Sequence, residues 1–589
     1  MKMSTRKYFL ALLFSLSFLT LTSGAKRKRL PSSAYAVPGT NATYDYLVVG
    51  GGTAGLALAS RLAESFRVAV IEAGGFYELD NGNASVVPYY SLTIPSLSSS
   101  PDYPHQPLFD WDLVSQPQVG GGNRRIHYAQ SKTLGGCSAH NTMAYLRSTR
   151  GTQDRWAQIA GDDSYKWDNM LPYYKKSVTL TPPNWQKRNM PNATFTYDTT
   201  AFNPAGQGGG PVQISWANWV DPAATWLAKC LQGMGMPKSD VGFTSGTLSG
   251  FGAWTNTEID PTTAERSSAT EYLKQAIENT EIMVYHQTQA MKINFDNTKR
   301  ARSVLVSTMG LEYTLSASKE VIVSAGVYHS PQLLMVSGVG PKATLQKYNI
   351  PVVSDLPVGQ GLQDQIWFTV SSGITSPNAI QIASDPANRE ILLREYLDDQ
   401  SGVLSSAGGY LAFEKLPSEF RTAFSKRTAS ALAALPSDFP EIEYIVTGFP
   451  DGKGGSAGAL TATILHPYSF GSVTISSGSM LDKPVFDMGW LTDSADTELA
   501  LAAFKLGPEI APGSAVQSDA DILDYIRKNC NQMWHPSGTC RMGKAGDGKS
   551  IVDMTGLRVL DTSIFPFANP GHPTATLYAL AEKLADDIT

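Results

Sequence analysis

The sequence predicts an α/β fold, α+β over the whole chain, that begins with a strand–helix–strand unit. Three observations predict this unit: a β-rich run leads into a glycine-rich turn, a helical pattern follows the turn, and a second β-rich run ends at an acidic residue. The chain has 589 residues, which is more than one hydrophobic core usually spans. We therefore expect two domains or one interleaved pair.

The three elements of this unit follow one another directly. Tyr44–Val49 is the first predicted strand and Arg67–Ile71 is the second. Between them, Leu56–Ser65 is predicted to be a helix, because Leu58 and Leu62 lie four residues apart on one face. This order of elements is typical of a parallel sheet with a crossover helix.

The glycine-rich turn has the G-x-G-x-x-G spacing of a Rossmann-like dinucleotide-binding loop. Gly50 permits the tight turn, Gly52 lets the backbone approach a pyrophosphate, and Gly55 lets the helix pack closely on the strand. Thr53 and Ala54 lie within the turn, at the helix N-terminus that favours negative charge, and we expect them to contact the cofactor as well. The loop alone is a weak signal, because glycine-rich turns also occur in unrelated α/β folds.

An acidic residue strengthens the prediction of dinucleotide binding. Glu72 follows the second strand and lies 20 residues after Gly52, where a carboxylate binds the ribose hydroxyls of adenosine. A carboxylate at this position disfavours a 2′-phosphate. The unit by itself does not distinguish FAD from NAD.

Composition and charge exclude several classes of protein. Apolar residues make up 42% of the chain and charged residues 17%, which is a globular composition. The formal net charge is -5, so nothing indicates nucleic acid or an anionic lipid surface as a partner.

The N-terminus predicts a secretory signal peptide over residues 1–25. Lys2, Arg6 and Lys7 supply the positive start, Tyr8–Leu21 is mainly apolar, and Thr22–Ala25 supplies small residues for cleavage. The apolar run is too short for a stable membrane anchor. We therefore expect a secreted protein, extracellular or in the cell wall.

Three Asn-x-Ser/Thr sequons agree with export. They place candidate glycosylation sites at Asn41, Asn83 and Asn192. Each sequon alone is a weak signal, and together with the signal peptide they predict a glycoprotein.

The four cysteines form neither a disulfide framework nor a pattern of metal ligands. They are Cys137, Cys230, Cys530 and Cys540. Cys530 and Cys540 could pair in an oxidising compartment, or both could be buried free thiols. No metal site is expected from the cysteines or the histidines.

Four further stretches carry a resemblance to a known family. They are Ser131–Asn141, Ser324–Gly340, His535–Gly543, and Leu557–Ser563 leading on to His572. In this order they resemble the signatures of the glucose-methanol-choline (GMC) oxidoreductases, which bind FAD. Together with the glycine-rich turn, the resemblance covers nearly the whole mature chain.

Some positions depart from the family pattern. Val327 replaces the small residue that is usual in the second signature. A fifth stretch, Leu356–Gln365, resembles another family segment with two exchanges: Gly361 replaces the usual Asn, and Gln365 replaces the usual His.

The resemblance implies an FAD-binding domain interleaved with a substrate domain built on an antiparallel sheet. It predicts an FAD-binding region at residues 44–345 with substrate-domain insertions, a mainly substrate-binding part at 346–525, and a C-terminal segment at 526–589 that returns to the FAD domain. The alternating residues of Gly471–Ser476 fit one strand of the antiparallel sheet. Near the C-terminus, one helical stripe is expected to pack on the FAD domain and contains Leu577, Leu580, Leu584 and Ile588.

The resemblance also assigns residues to FAD. Besides the residues of the first βαβ unit, it predicts that the cofactor contacts Leu134, Gly135, Ser138, His140, Asn141, Asp561 and Ala568. The stretch Gly-Gly-Cys-Ser-Ala-His-Asn is similar to the loop of choline-oxidising members, whose histidine bonds covalently to the flavin. We hypothesise that His140 forms the same bond; a neutral histidine near the flavin ring is the alternative.

Two histidines are the predicted catalytic residues. The resemblance places His535 at the flavin face, where it would accept the proton of an alcohol while the hydride passes to flavin N5. His572 is the predicted partner that donates a hydrogen bond to the substrate oxygen, and the His/His pair is similar to that of aryl-alcohol-oxidising members. His105, His127, His286, His329 and His466 are expected to be structural.

The predicted function is the FAD-dependent oxidation of a small-molecule alcohol, with dioxygen or a quinone as the electron acceptor. Aromatic residues near Trp367, Tyr410 and Phe413 favour a bulky or aromatic primary alcohol, including an intermediate of secondary metabolism. One alternative is a lyase or cyclase of the same family that uses the histidine pair without net redox chemistry. Another is a non-catalytic binding protein. The sequence leaves the oligomeric state open.

Overall fold

A computed structural model describes residues 31–92, 98–204, 207–253, 255–257, 259–260, 262–451, 453–506, 516–544 and 554–589. The expected signal peptide at residues 1–25 lies outside the described residues. The described chain contains both helices and sheets, and the predicted α/β class is confirmed. The predicted domain boundaries remain a prediction.

Within the described residues, seven strands form the sheet that contains the first βαβ unit. In order they are Met283–Tyr285, Val68–Ile71, Ala42–Val49, Leu311–Val323, Ala301–Thr308 and Thr288–Phe295, and Leu557–Val559 also pairs with Leu311–Val323.

The βαβ unit forms largely where the sequence predicts it. Ala42–Val49 pairs in parallel with Val68–Ile71 on one side and with Leu311–Val323 on the other. The helix spans Thr53–Leu62 and begins three residues earlier than predicted, because Gly52 is extended and serves as its N-cap. All residues of Val68–Ile71 are buried, as expected for a parallel strand that is covered on both faces.

The helices cover both sheets. The described helices are Thr53–Leu62, Tyr77–Asp80, Asn83–Val86, Arg150–Ala160, Trp167–Ser177, Pro222–Gly233, Thr270–Asn279, Gly326–Val336, Lys342–Lys347, Ala379–Ser384, Arg389–Leu397, Ser418–Arg421, Lys426–Ala433, Ser494–Leu506, Asp519–Asn529 and Thr574–Ile588. The last helix packs against Thr53–Leu62, and its predicted apolar stripe belongs to the same hydrophobic cluster. None of the described helices is long and apolar enough to span a membrane.

The second large sheet is antiparallel, as the family resemblance implies. In order its described strands are Asn531–Gln532, Ile366–Ile374, Ser456–Ile464, Ile442–Pro450, Tyr410–Glu414 and Gly250–Ala253. Strands from three distant parts of the chain therefore meet in this sheet. The returning strand Asn531–Gln532 leads directly into the segment that carries His535.

One strand lies in a different sheet from the one predicted. The alternating stretch Gly471–Ser476 forms a strand at Gly471–Thr474, but this strand pairs with Gln360–Leu362 and Val485–Asp487 in a small separate sheet. Alternation identifies a strand with one buried face, but it does not identify the pairing partner.

The predicted glycosylation sites and cysteines have clear positions. Asn41, Asn83 and Asn192 are all exposed. Cys530 and Cys540 are both buried and free, and they lie in different hydrophobic clusters. The structure thus favours the two buried thiols over the disulfide.

Candidate active site

A single cavity of about 500 Å³ connects the glycine-rich turn to the two predicted catalytic histidines. Its lining includes Gly50 and Gly52 at one end and His535 and His572 at the other. Segments that are far apart in sequence therefore meet around one space.

The glycines of the turn shape the nucleotide end of this cavity. Gly50 has φ +110°, and a Cβ there would lie 2.2 Å from the carbonyl oxygen of Ser324. A Cβ on Gly52 would meet only the Cα of Gly136, at 3.8 Å, whereas a Cβ on Gly136 would lie 2.6 Å from the Cα of Gly52. The absence of side chains here keeps open the space that a pyrophosphate needs.

The helix N-terminus at this end has no side-chain cap. Its N-cap is Gly52, and Thr53 and Ala54 form the first turn and line the cavity. The first N–H groups of a helix have no intrahelical partners and attract anions. This donor set suits the phosphates of a dinucleotide.

Glu72 also lines the nucleotide end of the cavity. Its two carboxylate oxygens accept hydrogen bonds from the backbone N–H groups of Gly51 and Gly74, at 2.8 and 2.7 Å. Burial raises the pKa of Glu72 to about 7. Each carboxylate oxygen has a second lone pair, so Glu72 can hold ribose hydroxyls without losing its backbone bonds.

Some predicted cofactor residues lie behind the cavity wall and shape it. A Cβ on Gly55 would lie 2.0 Å from the carbonyl oxygen of Gly50, so Gly55 sets how closely the helix packs on the turn. Gly135 donates its N–H to the carbonyl of Gly51 at 2.8 Å, and the hydroxyl of Ser138 donates to the carbonyl of Gly135 at 2.7 Å. These contacts join the two loops of the nucleotide end.

Two other predicted cofactor residues are also buried outside the lining. Leu134 is 1% exposed and packs in the core under the glycine-rich turn. Ala568 is 1% exposed, and its N–H donates to Gln363 Oε1 at 3.2 Å. Leu134 and Ala568 therefore pack behind the wall of the cavity.

His140 lines the cavity and is 7% exposed. Its Nδ1 lies 3.0 Å from the hydroxyl of Ser131, and its ring packs 4.6 Å from that of Phe109. Burial lowers the pKa of His140 to about 4, so the ring is neutral at physiological pH. Asn141 also lines the cavity and accepts a hydrogen bond from Arg266 at 2.6 Å.

Asp561 also lines the cavity. Its Oδ2 accepts hydrogen bonds from the N–H of Gly326 and the hydroxyl of Ser330, at 2.9 and 2.6 Å. Its Oδ1 accepts from the N–H of Ser563 at 2.8 Å. Asp561 thus joins the C-terminal segment to the second signature where both line the cavity.

The open glycine-rich turn, the uncapped helix N-terminus and the buried carboxylates of Glu72 and Asp561 together fit a bound dinucleotide.

The backbone presents His535 to the cavity. Trp534, the preceding residue, has φ +57°, a left-handed conformation that is costly for a large side chain and persists where the surroundings enforce it. The N–H of His535 donates to Asp364 Oδ1 at 3.1 Å, and its Nδ1 lies 2.8 Å from Gln365 Oε1. Both the main chain and the ring are therefore fixed.

His572 lies beside His535. The two ring centroids are 4.7 Å apart and the rings are inclined by 64°. Burial and the neighbouring charge of His572 lower the pKa of His535 well below its usual value. His535 is therefore the neutral member of the pair, which is the state a proton acceptor needs.

A buried carboxylate holds His572. Its Nε2 lies 3.0 Å from Oε1 of Glu443, whose side chain is fully buried in the strand Ile442–Pro450. This contact fixes the orientation of the His572 ring. A substrate contact through Nε2 of His572 would have to replace the bond to Glu443.

The sequence interpretation did not include Glu443 and gave Gln365 no role. One signal for Glu443 is present in the sequence: a charged residue interrupts the apolar stretch Ile442–Val446. Buried carboxylates are rare unless paired. The partner, however, lies 129 residues away, and no local pattern names it.

Aromatic and aliphatic side chains on or beside the antiparallel sheet also line the cavity, and we call this part of the lining the substrate end. They include Trp219, Trp367, Ile380, Ile445 and Phe449. Of the three aromatic residues expected at the substrate, only Trp367 lines the cavity. Tyr410 and Phe413 are instead 1% and 0% exposed and belong to the core, because their strand lies inside the second sheet.

The remaining histidines were expected to be structural. His329 differs in position, because it lines the cavity and its ring lies 4.1 Å from that of Trp111. Burial lowers its pKa to about 3. His127 is fully buried, with Nε2 3.2 Å from Asp110. Over the described chain, no group of three or more His, Cys, Asp and Glu side chains could hold a metal ion.

Comparison with protein families gives two matches. Both family models are described as GMC oxidoreductase, and they match residues 44–367 and 467–581. Between them they span the glycine-rich turn and all five motif stretches, including Leu356–Gln365, and they leave out residues 368–466, which contain Glu443.

Two similar relatives are fungal. The dehydrogenase pkfF of Emericella nidulans is 42% identical over 582 residues, covering 93% of each chain. A patulin synthase of Aspergillus clavatus is 42% identical over 610 residues, covering 96% of this chain and 95% of the relative.

Solved structures share the fold over the same extent. An FAD-dependent oxidoreductase from Chaetomium thermophilum superposes with a TM-score of 0.79 at 28% identity, covering 92% of this chain and 99% of the other. A fungal aryl-alcohol oxidase superposes with a TM-score of 0.79 at 25% identity, covering 92% and 98%.

Proposed function

Because the chain belongs to the GMC oxidoreductase family and is an FAD-dependent enzyme, we propose that it oxidises an alcohol at the carbon that bears the hydroxyl. The observation that carries the proposal is the neutral, buried His535 beside the His572–Glu443 pair, in the same cavity as the glycine-rich turn. Alcohol oxidation needs a proton acceptor next to a hydride acceptor, and this cavity has room for both.

The proposed chemistry divides between the chain and its cofactor. FAD, when bound, supplies the acceptor for the hydride that leaves the substrate carbon. His535 takes the hydroxyl proton, which places a positive charge beside His572. The buried carboxylate of Glu443, which is bonded to His572, offsets that charge.

We propose a bulky or aromatic primary alcohol as the substrate. The substrate end presents Trp219, Trp367 and Phe449 together with aliphatic side chains, which suits a ring better than a small polar alcohol. The resemblance in fold to an aryl-alcohol oxidase supports the same class. Dioxygen or a quinone would reoxidise the flavin.

The covalent link through His140 is a separate proposal. It is supported by the position of the neutral ring on the cavity wall and by the bond from Nδ1 to Ser131, which would hold the ring in place. Acid precipitation tests the link: a covalent flavin stays with the protein pellet. Yellow supernatant with a colourless pellet would contradict it.

We also propose that the protein is secreted and glycosylated. The N-terminal pattern and the exposure of Asn41, Asn83 and Asn192 support this proposal. Expression in a eukaryotic secretory host followed by removal of N-glycans should lower the mass, and replacing all three Asn with Gln should abolish that difference.

Anaerobic mixing tests the oxidation. Purified holoenzyme is mixed with 4-methoxybenzyl alcohol, cinnamyl alcohol, methanol and choline while the visible band of oxidised flavin is followed. Bleaching by the aryl alcohols is the expected result. Recovery in air with formation of peroxide identifies an oxidase, and slow recovery identifies a dehydrogenase that needs a quinone.

A second candidate function is acid–base chemistry without net oxidation, as in a lyase or cyclase. The relative named a synthase favours it, and the His572–Glu443 pair beside neutral His535 supplies both an acid and a base. A flavin that no alcohol bleaches, but that dithionite still reduces, would favour this candidate.

A further inference from the structure

The side chain of Gln365 joins three segments of the active site. Gln365 is 1% exposed, and its Nε2 donates hydrogen bonds to the backbone carbonyls of Leu465 and Asn569, at 2.8 and 2.9 Å. Its Oε1 lies 2.8 Å from Nδ1 of His535. Asn569 begins the turn that leads to His572, so the one amide contacts the segments of both histidines.

The surroundings fix the orientation of this amide. The carbonyl oxygens of Leu465 and Asn569 only accept hydrogen bonds, so the NH₂ group must face them. A flipped amide would direct an oxygen at two carbonyl oxygens and leave buried acceptors without donors, which is unfavourable. Oε1 must therefore face His535.

This orientation decides which nitrogen of His535 carries hydrogen. An amide oxygen only accepts, so Nδ1 of His535 is the donor in the 2.8 Å contact. A neutral imidazole has one N–H, and that N–H is then on Nδ1. We infer that Gln365 is a positioning residue that fixes the tautomer of His535, so that Nε2 is the atom that accepts the substrate proton.

The main chain reinforces this arrangement. The N–H of Met533 donates to the carbonyl of Gln365 at 2.9 Å, and the N–H of His535 donates to Asp364 Oδ1 at 3.1 Å. Consecutive residues of one segment therefore hold both the backbone and the ring of His535. Gln365 fixes the rotation of the ring as well as its hydrogen.

The charged and titratable groups near His535 do not supply a competing acceptor for Nδ1. His572 faces the ring and bonds to Glu443. Asp364 accepts from the backbone N–H of His535 through Oδ1 and from the hydroxyl of Tyr128 through Oδ2, at 2.9 Å. Among the hydrogen bonds that the structure describes, Nδ1 of His535 therefore contacts only the neutral amide of Gln365.

Neutron diffraction tests the tautomer without any substrate. A deuterium-exchanged crystal of the FAD-bound wild-type enzyme at pH 7 should have deuterium on Nδ1 of His535 and none on Nε2. Deuterium on Nε2 with a bare Nδ1 would overturn the inference. The result does not depend on whether the proposed oxidation is correct.

Two variants test the consequence, which rests on the proposed function. Gln365→Met removes the acceptor at similar volume, and Gln365→Glu retains an oxygen facing Nδ1 in either protonation state. We expect Gln365→Met to lower the limiting rate of flavin reduction by 4-methoxybenzyl alcohol about 100-fold, the lower range of a general-base contribution, with little change in substrate affinity.

Gln365→Glu keeps an oxygen facing Nδ1, so it should keep more of the high-pH rate than Gln365→Met, and it should move the acid-side loss of rate to higher pH, because a carboxylate stabilises the imidazolium. A structural role predicts the opposite order, because the second oxygen of Glu would face the carbonyl oxygens of Leu465 and Asn569, whereas the methyl group of Met would not, and Gln365→Glu would then be the less active variant at every pH. That order, with an unshifted pH profile, would overturn the inference. Gln153→Met, which removes a fully buried amide outside the cavity, is the matched control and should behave as wild type.

Discussion

At the residue scale, the two histidines of the site differ in the side chains that their rings contact. The rings of His535 and His572 are adjacent; among the described contacts the ring of His572 meets the carboxylate of Glu443, whereas the ring of His535 meets the neutral amide of Gln365. His535 is then ready to accept the proton of the substrate. The two histidines are alike in sequence context and differ because of Glu443.

The pH dependence follows from this difference. His535 acts in its deprotonated form, and burial together with His572 holds its pKa well below the ordinary value of about 6.5. A lowered pKa moves the acid-side loss of activity to lower pH. We expect the limiting rate of anaerobic flavin reduction to stay level from pH 8 to about pH 6.5. A half-maximal rate at an ordinary histidine pKa would contradict this assignment.

The family resemblance singled out both histidines, because each lies in or beside a contiguous motif. It did not predict the residues that tune them. Glu443 contacts His572 across 129 residues and Gln365 contacts His535 across 170 residues. Only the folded sheet brings these strands together, and a single sequence contains no record of such pairs.

At the element scale, the glycine-rich turn is the most sharply predicted feature. Its glycines have different roles, as the atoms that an added Cβ would meet show for Gly55 and Gly52. Gly55 lies against the carbonyl of Gly50, whereas Gly52 lies beside open cavity. Gly55 therefore determines how closely the helix packs, and Gly52 leaves space for the cofactor.

Alanine substitutions should separate these two roles. Gly55→Ala forces a Cβ to within 2.0 Å of the Gly50 carbonyl oxygen, so we expect loss of stability by about 1–3 kcal/mol together with loss of FAD. Gly52→Ala should keep the fold and weaken FAD binding. The measurements are the melting temperature of the apoprotein and the ratio of visible flavin absorbance to protein absorbance.

Gly233→Ala is the matched control, because a Cβ there meets nothing within 4 Å. It should leave both measurements unchanged. Equal losses of FAD and of stability in Gly52→Ala and Gly55→Ala would show that the two glycines do not have separate roles.

Element boundaries were less predictable than element types. The first helix begins at Thr53 rather than Leu56, because Gly52 adopts the extended conformation of an N-cap. The strand at Gly471–Thr474 forms as predicted but joins the small sheet. Hydrophobic pattern specifies which face is buried, whereas the partner depends on loops that connect distant segments.

At the scale of the whole molecule, the cavity is assembled from segments spread over the chain. Its lining runs from Val49 to Leu577. The family signatures predicted that these segments meet, and the antiparallel sheet confirms the expected second layer. The substrate end was the least predictable part, because aromatic residues in the core and in the cavity look alike in sequence. Tyr410 and Phe413 are the examples.

The cysteines give a test of the whole fold. All four are free, with Cys530 and Cys540 buried in separate clusters. Alkylation in denaturant without reductant should therefore label four cysteines, as counted by intact mass. Labelling of only two, with four after reduction, would show a disulfide and contradict this packing.

The central claim is that His535 is the proton acceptor in an FAD-dependent alcohol oxidation. The most direct measurement is the rate of anaerobic flavin reduction by 4-methoxybenzyl alcohol in His535→Asn, with His105→Asn, an exposed histidine, as control. The account predicts that His535→Asn retains its FAD and is reduced about 10²–10⁴-fold more slowly than wild type, while the control is unchanged. Reduction of FAD-loaded His535→Asn at the wild-type rate would contradict it.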